Sequence, residues 1–257
     1  MGRMIFRTFA RLLLRFLFRL FTKWEVTGME NVPEGFKPSP RPAHESFMRL
    51  WWQVVSPQAH KELNRKAGRQ LARGEGLKGG PLVVAFNHLA HLDALLLAAT
   101  LPWPLEGIAL ADLYRVPVTG QFLRLYGTIP VHRDEFDREV VRRGLRVLTE
   151  GKVLVLAPEA RMSRTGALER ARHGAAYFAL RSGAPILPVA ITGTERAYSA
   201  WRHLRRPRLT INIGRPFAPP PYESKGEARR RQLEEFTEEI MRRIAELLPP
   251  EYRGVYR

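Results

Sequence analysis

A histidine and an aspartate stand five residues apart, His88 and Asp93, after the apolar run Leu82 to Phe86 and before an Ala/Leu-rich stretch. On one continuous helix, positions i and i+5 lie about 140° apart and cannot meet. Contact requires a turn at His88 with Asp93 in the first turn of a following helix, which a strand-to-helix junction supplies. An aspartate bonded to one imidazole nitrogen fixes the tautomer and stabilises the imidazolium, leaving the other nitrogen to take a proton near neutral pH. That is two-thirds of a hydrolase triad. No serine sits in a Gly-x-Ser-x-Gly elbow and the chain has no cysteine, so the substrate's own hydroxyl is left as the candidate nucleophile. The lack of cysteine also excludes disulfide scaffolds, Cys-ligated zinc and iron–sulfur sites.

Three more blocks follow in order: Gly127 to Arg133 (GTIPVHR), Ala157 to Ser163 (APEARMS) with Gly166 and Leu168 behind it, and Ile186 to Val189 (ILPV). With Asn87-His88 and Asp93, these blocks resemble those of the glycerolipid acyltransferases, the 1-acylglycerol-3-phosphate acyltransferase family. Its patterns are Asn-His-x4-Asp, Gly-x-Ile-x-Val-x-Arg, a Pro-Glu-Gly-Thr-Arg-Ser block and a Val-Pro-type strand. The resemblance spans about residues 81 to 195, and ordered blocks at strand ends are far more specific than any one of them.

The resemblance implies a membrane-surface enzyme in which a His/Asp pair deprotonates a glycerol hydroxyl that attacks a fatty acyl thioester. His88 is then the base, Asp93 its orienter and Arg133 a phosphate ligand. Glu159 helps to hold the acceptor site, Gly127 and Gly166 are turn glycines, and Asn87 and Ser163 support the site from the first and third blocks. The third block departs from the pattern: Ala160 stands where the family has Gly, Arg161 where it has Thr and Met162 where it has Arg. Arg161 becomes the candidate for the displaced phosphate ligand, with Arg172 beside it where relatives often have Lys. In the first block the common Ser is Ala90, and residues 36 to 78 are an insertion relative to the compact bacterial pattern. No cofactor is implied, since acyl-CoA or acyl carrier protein enters as co-substrate. His91 and His132 belong to no set with metal-ligand spacing, so no metal is predicted.

The elements that must position these residues are legible as alternating patterns. Strand-like Pro81 to Phe86, Leu105 to Leu110, Thr128 to Val131, Lys152 to Ala157, Ile186 to Ile191 and Leu209 to Ile213 alternate with helical Leu92 to Thr100, Val116 to Leu125, Glu135 to Glu150 and Ala171 to Arg181. A charged helix, about Glu223 to Leu248, closes the series before Pro249 and Pro250. The expected fold is α/β, a mostly parallel or mixed sheet flanked by helices, over residues 81–257. Residues 25–80 read as a connector, with a short extended stretch Trp24 to Gly28, a Pro-rich run and two helical patterns around Trp51, Trp52 and Ala59 to Arg73.

Residues 1–24 carry Arg3, Arg7, Arg11, Arg15, Arg19 and Lys23 and no acid, interleaved with Leu and Phe. A cation every fourth position drifts about 40° per step, so Arg7 to Arg19 cover one arc and leave a wide apolar face. An amphipathic basic helix lying in the headgroup plane suits this pattern, with Arg7 and Arg11 at lipid phosphates and Phe16, Phe18 and Phe21 among the chains. A packing helix with solvated arginines and a removable transit segment are the alternatives. No uncharged run approaches about 18 residues, which argues against a polytopic membrane protein.

The chain of 257 residues has 42 Lys+Arg against 25 Asp+Glu, a net charge of +17, and such a balance calls for an anionic partner. Its aromatic and basic residues mix in the N-terminal segment and no recognition motif appears, so anionic lipid is preferred to nucleic acid. The expected setting is peripheral or monotopic, on the cytoplasmic face of a membrane. The competing readings are an acyltransferase moving a fatty acyl group onto 1-acylglycerol 3-phosphate or another lysolipid, a nucleic-acid binder, and a peripheral membrane protein that has kept the fold and lost the chemistry.

Overall fold

The five residues of Leu82–Phe86 are all buried, and their side chains alternate between two apolar layers. A strand buried on both faces reads as an unbroken hydrophobic run and belongs in the middle of a parallel sheet. In the computed structural model, which describes residues 2–33, 80–132, 137–223 and 226–257, this strand lies at the centre of a seven-stranded sheet. The strands are β1 (Lys23–Thr27), β2 (Leu82–Phe86), β3 (Leu105–Leu110), β4 (Ile129–Val131), β5 (Val153–Leu156), β6 (Ile186–Thr192) and β7 (Arg208–Ile213). Their order is β1-β7-β6-β2-β5-β3-β4. Every pairing is parallel except β6 with β7, with Val84 beside Val155 on one side and Leu187 on the other.

The helices are α1 (Gly2–Phe21), α2 (Leu92–Thr100), α3 (Pro117–Tyr126), α4 (Arg138–Thr149), α5 (Gly174–Ser182), α6 (Ala197–Arg202) and α7 (Gly226–Glu246). Leu82, Val84 and Phe86 face a layer containing Phe18 of α1 and Leu92, Leu96 and Leu97 of α2. Val83 and Ala85 face α4, α5 and α7 through Val147, Phe178 and Ile240. The result is the expected α/β sheet flanked by helices, arranged in three layers. Element starts shift by a few residues: α4 begins at Arg138 because the Asp137 carboxylate accepts hydrogen bonds from the Glu139 and Val140 amides and caps it there.

One boundary moves. The extended stretch assigned to the connector is β1, which pairs in parallel with β7, Val26 beside Ile211, and is an edge strand of the sheet itself. The stretch 36 to 78 read as an insertion, with its two helical sequence patterns, and Arg133 lie outside the described residues.

The N-terminal segment forms α1, but not in the expected orientation. Arg7 is buried: its Nε donates to the Tyr126 carbonyl at 2.7 Å, its Nη1 pairs with Glu106 at 2.9 Å, and its guanidinium lies 5.2 Å from the Tyr126 ring centroid. Arg11 donates to the Pro102 carbonyl, just beyond the end of α2. Tyr126 ends α3, so both cations meet carbonyl groups at or just past helix C-termini, where the backbone presents unpaired oxygens and partial negative charge. Arg7 and Arg11 therefore hold the helix to the domain instead of reaching outward, and Phe18 joins the core. Phe16 and Phe21 are exposed, in an apolar outer face with Ile5, Phe9, Leu12 and Leu20. Among the described residues no helix is long and apolar enough to cross a membrane.

Removing one partner of a buried ion pair strands the other charge. Arg7→Ala is expected to lower unfolding free energy by about 3 kcal/mol or more, whereas Arg19→Ala, on the exposed side, stays within about 0.5 kcal/mol. Urea denaturation of the two variants checks this, and equal effects would refute the anchoring role.

Candidate active site

Parallel strands align their C-terminal ends along one edge, and in open α/β sheets ligands bind beyond those ends. The loops after β2, β5 and β6 meet there, since these three strands are neighbours. They carry His88, Glu159 and Thr194.

The turn that the His/Asp pair needs is made by Asn87. Its side-chain amide donates to the Ile191 carbonyl (2.8 Å) and its Oδ1 accepts from the Ile191 amide (2.7 Å). The side chain thus continues the β2–β6 ladder in place of the main chain, which is free to leave the sheet at His88. Asp93 sits in the first turn of α2, fully buried. Its Oδ2 accepts from His88 Nδ1 at 2.8 Å and from the Leu89 and Ala90 amides at 2.6 and 2.8 Å. Its Oδ1 accepts from the Thr194 hydroxyl at 2.5 Å. Ala90 in place of the family's Ser keeps the backbone donor, so the carboxylate does not lose that contact. With Nδ1 committed to Asp93, Nε2 is the imidazole nitrogen left for proton transfer, and the ring packs edge-on to Phe86.

The third block holds His88 from both sides of its peptide chain. Glu159, buried after β5, accepts from the His88 amide through Oε1 (3.3 Å) and from the Glu169 amide through Oε2 (3.1 Å). The Ser163 amide donates to the His88 carbonyl at 2.7 Å, while the Ser163 hydroxyl donates to the Ala167 carbonyl and closes its own loop. Ala160, at the family's glycine position, keeps a left-handed conformation at φ 55°. The turn survives the substitution at a cost of about 1 kcal/mol relative to glycine. Gly166 (φ 74°) is a loop turn, and Gly127 (φ 87°) ends α3 with its amide on the Leu123 carbonyl.

Arg161 is half exposed and its Nε and Nη2 grip the Glu169 carboxylate at 2.9 and 2.5 Å. The Arg164 amide and then this guanidinium hold the Glu169 carboxyl below its ordinary range. An incoming phosphate would have to compete with Glu169 for Arg161. Thr194 was not singled out in the sequence. The one signal for it is a hydroxyl one residue past a left-handed glycine, Gly193, after a strand that is apolar from Ile186 to Ile191. Among the described residues no three acidic or imidazole groups cluster as a metal site.

Burial pushes the Glu159 carboxyl up to about 7, against the opposing pull of the two amides. Between the ordinary carboxyl value of 4.5 and that of the folded protein, the folded chain holds a proton that the unfolded chain has released. Stability from this group is therefore present at low pH and lost as pH rises through the window. Glu159→Gln cannot ionise, so its deficit relative to the parent protein is expected to be smaller at pH 8 than at pH 5. Denaturation midpoints at the two pH values measure it, and a constant difference would refute the shift.

The model of the Acyltransferase family matches residues 23–192. The chain is 31% identical over 119 residues to a 1-acyl-sn-glycerol-3-phosphate acyltransferase of Limnanthes douglasii, covering 45% of this chain and 41% of that protein. It is 27% identical over 123 residues to one from Borreliella burgdorferi, covering 47% and 49%. The chain thus spans less than half the length of these curated relatives. A crystal structure of the 1-acyl-sn-glycerophosphate acyltransferase PlsC from Thermotoga maritima is similar in fold, with a TM-score of 0.55 at 18% identity over 92% of this chain and 79% of that one. The family match runs from the first residue of β1 to the last of β6, well over half of the chain: the chain belongs to the Acyltransferase family.

Proposed function

We propose that the protein transfers a fatty acyl group from an acyl thioester, acyl-CoA or acyl carrier protein, to the free hydroxyl of 1-acylglycerol 3-phosphate, giving phosphatidic acid at an anionic membrane surface on the cytoplasmic side. The observation that carries it is the His88–Asp93 pair, an imidazole held at Nδ1 by a buried, fully hydrogen-bonded carboxylate. The relatives' names supply the substrate class.

In the proposed reaction the acceptor hydroxyl gives its proton to His88 Nε2 as its oxygen attacks the thioester carbonyl. Asp93 stabilises the imidazolium that forms. The tetrahedral intermediate collapses by breaking the carbon–sulfur bond, and the leaving thiolate takes the proton from Nε2. Ester and thiol are released and His88 is neutral again. Arg133 is proposed to bind the acceptor phosphate, with Arg161 contributing when Glu169 yields. The exposed apolar face of α1 is proposed to rest on the bilayer that supplies the acceptor.

His88→Ala is expected to lower turnover about 10²- to 10⁴-fold, and Asp93→Asn to be nearly as damaging through the wrong tautomer. Acyl transfer by purified protein, with both donors and with acceptors bearing or lacking a terminal phosphate, measures this. A folded His88→Ala protein with parental turnover would refute the mechanism. Arg133→Ala is expected to raise the acceptor KM far more than the donor KM, because charge-assisted guanidinium–phosphate bonds serve only the acceptor. Equal effects on both substrates would remove Arg133 from the phosphate site.

A further inference from the structure

Leucine is rarely placed in the left-handed backbone region, where its Cβ crowds the following carbonyl at a cost of about 1–2 kcal/mol. Leu204 is there, at φ 54°, and its side chain is 97% exposed. Local stability favours glycine or asparagine at such a position and gains nothing from a leucine in water. The residue stands at the tip of the segment between α6 and β7, flanked by exposed Arg202, His203, Arg205 and Arg206. Arg202 and Arg205 have no carboxylate partner among the described residues.

The segment is tied to the C-terminal end of α1. Arg206 donates to the Arg19 and Thr22 carbonyls at 2.5 and 2.6 Å, and Trp201 Nε1 donates to the Phe21 carbonyl at 3.0 Å. Leu204 thereby shares one groove with Leu17 and Phe21, both exposed on α1. Between them opens an apolar groove of about 610 Å³, with Leu14 of α1 and Leu92 and Leu95 of α2 also in its wall and Arg205 and Arg206 at its margin. Tyr198, exposed and packed edge-on against Trp201, adds the kind of aromatic side chain that partitions to headgroup level.

We propose that the 198–208 segment is a second bilayer-docking element. Leu204 inserts among the acyl chains of an anionic membrane, Arg202 and Arg205 meet lipid phosphates, and the groove between the segment and α1 receives one lipid chain. The charge of the segment complements such a surface, and its apolar tip is continuous with the outer face of α1. The proposal rests on the bilayer docking of α1 put forward above. It adds a contact beside the C-terminal end of α1, which widens the docked surface beyond the helix and limits rotation of the domain about it.

Co-sedimentation with vesicles of phosphatidylcholine and phosphatidylglycerol tests it with the full chain. Leu204→Gly relieves backbone strain, so its thermal midpoint should equal or exceed that of the parent protein, while its vesicle affinity should fall on the order of tenfold for loss of one inserted leucine. Arg202→Ser and Arg205→Ser should each weaken binding about fivefold at low salt and less at high salt. Activity on a short-chain soluble acceptor should be unchanged in all three. If the parent protein does not bind vesicles, the docking of α1 and this proposal both fall. Should Phe16→Ser lose binding while Leu204→Gly keeps it, this proposal alone is overturned. Unaltered vesicle binding by the arginine variants, with a raised KM for an acyl carrier protein donor, would reassign the segment to an acidic protein and also overturn it.

Discussion

The buried carboxylate of Asp93 governs the arrangement around it. An ion with no exposed surface costs several kcal/mol unless its lone pairs are matched by donors, and here four donors converge on two oxygens: an imidazole, two amides and a hydroxyl. Two donors come from the turn, one from the ring it orients and one from the loop beyond β6. The turn, the start of α2 and the end of β6 are therefore locked to one another, since displacing any of them leaves charge unpaired. The imidazole inherits that rigidity and need not be reorganised when its outer nitrogen accepts a proton.

A second constraint comes from the sheet. Because β2 lies between β5 and β6 and runs parallel to both, residues 71 and 104 positions apart reach the same turn. Glu159 and Ser163 satisfy the amide and carbonyl of His88, and Asn87 substitutes for the main chain at the ladder's end. Loops have few neighbours of their own, so these backbone clamps give the histidine a position that its own segment would not. Ala160 shows how strongly that position is held, keeping a glycine-like conformation without a glycine.

The N-terminal helix shows how one amphipathic pattern is used on two sides. Arginines at Arg7 and Arg11 satisfy carbonyls that helix ends leave bare, and in doing so turn the leucine and phenylalanine face outward. The helix packs on α2, whose first turn carries Asp93.

The five-residue spacing of His88 and Asp93 was enough, with the apolar run before it and the helical run after it, to place a strand, a turn and a helix start. The pairing is local, so covalent geometry nearly fixes it. The layered α/β order was legible for the same reason, as periods of two and of 3.6 are written in neighbouring residues. Thr194 and the grip of Glu159 on His88 were not, because they depend on which strands become neighbours and in what register. Nor was the membership of Lys23–Thr27 in the sheet, since a short extended run carries no label for its partner. The inward turn of Arg7 and Arg11 lay equally beyond the sequence: periodicity divides a helix into two faces, but only the carbonyl groups and Glu106 waiting on the folded domain decide which face it meets.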